Sequence, residues 1–131
     1  MTAPITALYA ALLAIFLVVL GGLVVRMRIK ERIAIGDGGN KAMLAAIRVH
    51  ANAVENIPIA LLLLLLLELN GGSIWWLHAF GEALIVGRLM HAFGLFQKKN
   101  INYWRQLGMV ITWLVTTGLA FMLLAQLIIG L

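Results

Sequence analysis

The sequence predicts an all-α integral membrane protein built as one four-helix bundle. Three observations carry that prediction. The 131 residues are 63% hydrophobic and only 11% charged, against roughly 25% charged in an ordinary soluble domain. The mean hydropathy is +1.03. Apolar stretches recur four times, each near the ~20 residues a helix needs to cross ~30 Å of hydrocarbon. With so little charge the chain has too little polar surface to face water, which excludes a soluble fold. All four stretches fit a single domain, residues 1–131.

The first span is expected over about residues 5–25. It is charge-free and lacks a basic leader, so it reads as a membrane span and not as a cleaved signal peptide. It ends at the basic run Arg26-Met27-Arg28-Ile29-Lys30-Glu31-Arg32, and Gly36-Asp37-Gly38-Gly39-Asn40 supplies a flexible turn. No Lys-Ser/Thr follows these glycines, which argues against a phosphate loop. The second span, about 43–69, starts near Lys41 and contains Pro58, so a kink is expected one turn upstream. Asn70-Gly71-Gly72-Ser73 is short enough to force an antiparallel hairpin into the third span, about 74–96. The fourth runs over about 105–129.

Orientation follows from lysine and arginine. Eight of the ten basic residues flank the first and third loops: Arg26, Arg28, Lys30, Arg32 and Lys41, then Lys98, Lys99 and Arg105. Segments 26–41 and 97–105 are therefore expected in the cytoplasm of a bacterial inner-membrane protein, with both termini on the other side. Trp75 and Trp76 mark the far interface, and Tyr103 and Trp104 the near one. Read as topology signals, the basic residues do not imply a nucleic-acid partner. Cysteine is absent, and His50, His78 and His91 have no ligand spacing, so no metal site is expected.

Spans one and four are clean, whereas spans two and three carry Arg48, His50, Asn52, Glu55, Asn56, Glu68, His78, Glu82, Arg88 and His91. A charge at mid-membrane costs about 2.5–3.5 kcal/mol on insertion scales. Helices two and three are therefore expected to line the interior. At 100° per residue Arg48, Asn52 and Glu55 fall within about 60° of one another, while His50 and Glu68 point to the opposite side. Arg88, His91 and Leu95 share a stripe on the third helix. An Arg88–Glu55 ion pair between helices is one reading of these charges. Snorkelling of Arg48 and Asn52 toward the interface is another. The polar stripe is too large for one four-helix unit to satisfy alone, which favours an oligomer.

The spacing Arg-x-x-x-Asn-x-x-Glu at Arg48, Asn52 and Glu55 is followed by Val86-Gly87-Arg88-Leu89-Met90-His91 and preceded by Val25-Arg26-Met27-Arg28. Together these resemble the membrane-associated proteins in eicosanoid and glutathione metabolism, the MAPEG family, over nearly the whole chain and most closely a small bacterial branch. The resemblance implies a homotrimer that binds glutathione as co-substrate between subunits, near the cytoplasmic face. It implies glutathione contacts at Arg26, Arg48, His50, Asn52, Glu55, Arg88 and His91, and an activating role for Arg105 toward the thiol. The implied reaction is transferase- or peroxidase-like. Glutathione thiolate adds to a lipophilic small molecule arriving from the membrane lipids, or reduces a lipid hydroperoxide.

Side-chain chemistry fits this ligand independently. Guanidinium forks suit the two carboxylates of glutathione, and Glu55 suits its ammonium. A nearby cation favours the thiolate over a thiol of ordinary pKa ~8.5. The chain departs from the family pattern at Leu95 and Gln106, where relatives carry Tyr and Ser, and at Asn56, where an aromatic is found. Two other readings stand beside this one: a small proton-coupled transporter using His78 and Glu82, with a self-satisfied His78–Glu82 or His78–Glu68 pair as its inert counterpart, and a non-catalytic membrane protein.

Overall fold

The computed structural model describes residues 2–94 and 102–129. Four helices follow one another: α1 (Pro4–Glu31), α2 (Lys41–Leu69), α3 (Ile74–Phe93) and α4 (Tyr103–Ile129). Three of them, α1, α2 and α4, are long and apolar enough to cross a membrane. In α3 the side chains of His78, Glu82, Arg88 and His91 dilute an otherwise apolar segment of 20 residues. The third span was expected to reach residue 96; residues 95–101, with Leu95, Lys98 and Lys99, lie outside the described residues.

α1 differs most from expectation. The basic run does not end the helix, which continues six residues beyond Val25 to Glu31. Its 28 residues span about 42 Å, so the basic turn projects beyond ~30 Å of hydrocarbon. Arg32 closes the helix in the left-handed region at φ 56°, and the Ile33 amide bonds back to the Arg28 carbonyl at 3.1 Å. Arg28 then folds over the loop, donating to the carbonyls of Ala34 and Gly36 at 3.1 Å each. A residue read as a topology signal thus also shapes the turn.

α2 begins where the sequence suggests. Asn40 Oδ1 accepts from the amides of Ala42 at 3.0 Å and Met43 at 3.1 Å, satisfying two of the orphan donors at a helix start. The helix runs through Pro58 without ending. Its far end is a Schellman closure. Gly71 takes φ 76°, its amide bonds to the Glu68 carbonyl at 3.1 Å, and the Gly72 amide bonds to Leu67 at 2.8 Å. This two-glycine stop turns the chain straight back into α3. The fourth helix starts two residues earlier than expected, because Asn102 caps it: its Oδ1 accepts from the Arg105 amide at 3.2 Å.

Around the bundle the helices touch in the order α1, α2, α4, α3, with α2 and α3 also meeting across the middle. Among the described residues α1 and α4 do not meet. The two polar helices therefore hold the short diagonal and the two clean helices flank it, as the polarity of the spans predicts. The core is apolar, with Leu13, Ile57, Leu64, Leu84 and Leu119 almost fully buried. Gly87 and Gly108 bring α3 and α4 together, and a β-carbon on Gly108 would overlap the Gly87 carbonyl. Small residues at such a crossing are a common means of membrane helix association.

Far from the basic loops, Glu68 of α2 caps α1. Its carboxylate accepts from the amides of Ile5 at 2.9 Å and Thr6 at 2.7 Å, in the first turn after Pro4. A carboxylate there satisfies two orphan donors and faces the positive end of the helix dipole. Glu68→Ala is expected to lower stability by about 2 kcal/mol. Glu68→Gln, which keeps one acceptor oxygen, should lose less. Thermal unfolding in detergent, with hydrogen exchange at Ile5 and Thr6, reads both effects.

Candidate functional site

Helical spacing on α2 resolves into two faces. Leu44, Arg48, Glu55, Ile59, Leu62 and Leu66 are exposed in one line along the outer side of the bundle. On the reverse side His50 packs on Gly21 of α1 and Glu68 caps the same helix, so both point away from that line as expected. Arg48 and Glu55 thus lie on an outward face, with Asn52 between them and half-buried.

Asn52 is the link inward. Its Oδ1 accepts from Arg88 Nη2 at 2.8 Å. Arg88 Nη1 reaches Thr112 Oγ1 on α4 at 3.4 Å, and Thr112 in turn donates to the Gly108 carbonyl at 2.8 Å. Arg88 is 1% exposed, so one guanidinium fork ties three helices together at the centre of the bundle. The Arg88–Glu55 pair considered from sequence does not form, because Glu55 is on the exposed face and Asn52 takes its place. The one ion pair among the described residues is Lys30–Glu31, at 3.8 Å on the surface.

Beside Asn52 lies a polar pocket of about 360 Å³, lined by Asn52, His91, Asn102, Arg105, Gln106 and Met109. It opens at the end of the bundle that carries the basic loop. His91 is 5% exposed, and neither ring nitrogen has a hydrogen-bond partner among the described residues. Burying such a group without a partner is costly, which is a reason for a ligand to complete it. Asn102 holds the rim by donating to the Gly94 carbonyl and capping α4. Arg105 sits in the first turn of α4, where the helix dipole opposes a cation. That unfavourable placement suits a group held for its charge.

The structure therefore gathers Asn52, His91 and Arg105 into one pocket, with Arg88 bonded to it from behind and Arg48 and Glu55 on the adjoining outer face. It does not gather the remaining two. His50 faces α1, and Arg26 is exposed on α1 outside the pocket lining. Sequence reasoning missed Thr112 and Asn102. Thr112 lies on the buried line Gly108, Thr112, Val115 and Leu119, so its periodicity marks it as inward. Asn102 precedes the last apolar run, where a cap belongs.

The two polar groups considered for a proton path, His78 and Glu82, are not joined to each other among the described residues. Tyr9 Oη shares a hydrogen bond of 2.8 Å with His78 Nδ1, Glu68 caps α1, and Glu82 is exposed. Neither the His78–Glu82 nor the His78–Glu68 pair is present among the described contacts.

Four packed helices, three of them long enough to span a bilayer, with Arg88 buried among them and a pocket lined by Asn52, His91 and Arg105, define a multi-pass membrane protein with a small polar site. The MAPEG family model matches residues 6–125, and the chain belongs to that family. It is 45% identical over 123 residues to the inner membrane protein YecN of Escherichia coli K12, covering 94% of this chain and 90% of that protein. The protein of the same name from Escherichia coli O6:H1 matches equally. The chain is thus a multi-pass inner-membrane protein.

Proposed function

We propose that this protein binds glutathione at the pocket formed by Asn52, His91 and Arg105, and uses its thiolate on lipophilic molecules drawn from the bilayer. The observation that carries the reading is the convergence of those three side chains from three helices on one pocket of about 360 Å³, in a chain of the MAPEG family. That volume lies in the range of small-molecule sites.

The chemistry divides by residue. Arg105 and the amino end of α4 stabilise negative charge on sulfur, shifting the thiol toward the nucleophilic thiolate. Arg48 and Glu55, on the face beside Asn52, meet a carboxylate and the ammonium of the ligand. Arg88 is a positioning residue, holding Asn52 from inside the bundle. In the transferase reaction the thiol gives up its proton and the sulfur forms a bond to an electrophilic carbon, while the bond from that carbon to a leaving group, an epoxide oxygen or an activated double-bond partner breaks and its electron pair takes up a proton. In the peroxidase reaction two glutathiones are oxidised to the disulfide while a hydroperoxide O–O bond breaks to give an alcohol and water.

The exposed line of α2 supports a homotrimer. Arg48 and Glu55 face outward in a membrane protein, where lipid contact would be costly and a second subunit would shield them. Glutathione then lies between subunits. Native mass spectrometry in mild detergent is expected to show a trimer, and only monomers or dimers would remove this part of the proposal. Arg48→Ala and Glu55→Ala are each expected to weaken glutathione binding about ten- to a hundredfold, the loss of one charge-assisted hydrogen bond. Unchanged isotherms in both variants would move the site away from this face.

A further inference from the structure

The basic end of α1 carries charge that the turn does not use. All three bonds from Arg28 to the loop, to the carbonyls of Ile33, Ala34 and Gly36, leave from Nη1. The Nε and Nη2 donors of its fork are left for another acceptor. Arg32 is exposed, and its side chain has no ion-pair partner among the described residues, where Glu31 is drawn to Lys30 at 3.8 Å. Arg32 is also the one residue other than glycine at positive φ among the described residues, at 56°. Glycine closes a helix in that conformation without strain. A strained arginine there directs attention to its side chain.

Between Arg28 and Arg32 lies a cleft of about 310 Å³, completed by Ile29, Ile33 and Ala34. Its depth is set by α1. Beyond Val25, where the apolar span ends, Arg28 stands about 4.5 Å and the helix end about 9 Å further out. Head groups occupy roughly the first 5–7 Å beyond the hydrocarbon on each side, so the cleft lies at their level. Ile29 is 74% and Ile35 91% exposed in the same turn. Large apolar side chains interleaved with basic ones suit the boundary of head groups and acyl chains.

We propose that this cleft holds the phosphodiester of an anionic phospholipid from the adjoining leaflet. Arg32 and the unused donors of Arg28 meet the phosphate oxygens, and Ile29 and Ile33 meet the glycerol and upper acyl chain. Charge complementarity and depth select this occupant. Guanidinium forks match phosphate oxygens, and no carboxylate lines the cleft. A zwitterionic head group brings an ammonium that two arginines repel. Free phosphate has no chain for the isoleucines to meet. The cleft shares no lining residue with the pocket of Asn52, His91 and Arg105, and the site stands independently of glutathione binding.

The test titrates phosphatidylglycerol, phosphatidylethanolamine and inorganic phosphate into delipidated protein in detergent, with bound molecules counted by native mass spectrometry. Phosphatidylglycerol is expected to saturate at one tight site per chain, about tenfold tighter than phosphatidylethanolamine. Inorganic phosphate at equal concentration should not displace it. Arg32→Gly removes the charge and fits the φ of 56°, so phosphatidylglycerol binding should fall to the phosphatidylethanolamine level without a lower unfolding temperature. Lys41→Gln takes one charge from the same end of the bundle, outside the cleft, and should leave the preference intact. Equal binding of the two lipids by wild type, displacement by inorganic phosphate, or an unchanged preference in Arg32→Gly overturns the proposal. So does an equal loss in Lys41→Gln, which would reduce the site to diffuse surface charge.

Discussion

Gly108→Val is expected to destabilise the protein by about 3 kcal/mol, the upper end for overpacking a tight contact. A β-carbon at this position would overlap the Gly87 carbonyl and sit 2.5 Å from the His91 amide nitrogen. Those neighbours are backbone, so no side-chain rotation relieves the clash and α3 must move away from α4. The same movement would stretch the Arg88–Thr112 contact and separate His91 from Arg105. Two controls set the scale. At Gly118 the neighbours are the ring tip of Phe80, with Cε1 at 2.9 Å, which can swing aside. At Gly22 nothing lies within 4 Å, so Gly22→Ala should gain up to about 1 kcal/mol from helix propensity. Thermal unfolding in detergent should rank Gly22→Ala, Gly118→Ala and Gly108→Val from most to least stable. A Gly108→Val protein as stable as wild type would show that the helices do not meet there.

Arg105→Ala is expected to lower turnover of a generic electrophile about a hundredfold or more, with little change in glutathione affinity. Binding rests on the groups that meet carboxylates and the ammonium, whereas Arg105 is assigned to sulfur. Stability should not fall, since the variant removes a cation from the unfavourable end of a helix dipole. The ultraviolet difference absorbance of bound thiolate should disappear, and Arg105→Lys should restore part of it. Unchanged thiolate absorbance and unchanged conjugation in Arg105→Ala would remove Arg105 from the chemistry. A parallel loss of affinity would instead make it a binding group.

Much of this was legible in sequence because a bilayer imposes few solutions. Once polar groups crowd helices two and three while one and four are clean, an interior lined by the polar pair follows, and helical periodicity turns His50 and Glu68 away from the line of Arg48 and Glu55. What periodicity does not supply is the partner. Arg88 faces inward on either reading, yet Asn52 and not Glu55 meets it, because an angle along one helix does not fix the depth and rotation of the next. Glu68 reads as a stray carboxylate in a run of leucines until folding brings the start of α1 beside it. The length of α1 was hidden for another reason. Basic residues mark where hydrocarbon ends, but a helix needs no hydrocarbon to continue, and Arg28 and Lys30 suit its negative end. At the polar pocket, His91 stood out by its motif and Arg105 by its place at the start of the last span, whereas Asn102 did not, since its role is to hold the turn that delivers Arg105.

Glutathione binding by the wild-type protein is the claim on which the functional account rests. Isothermal titration of the detergent-solubilised protein with reduced glutathione, and with oxidised glutathione as control, tests it most directly. The account predicts saturable binding of the reduced form, accompanied by thiolate absorbance, and weaker or no binding of the disulfide. No saturable heat and no thiolate signal from protein that remains folded would contradict it.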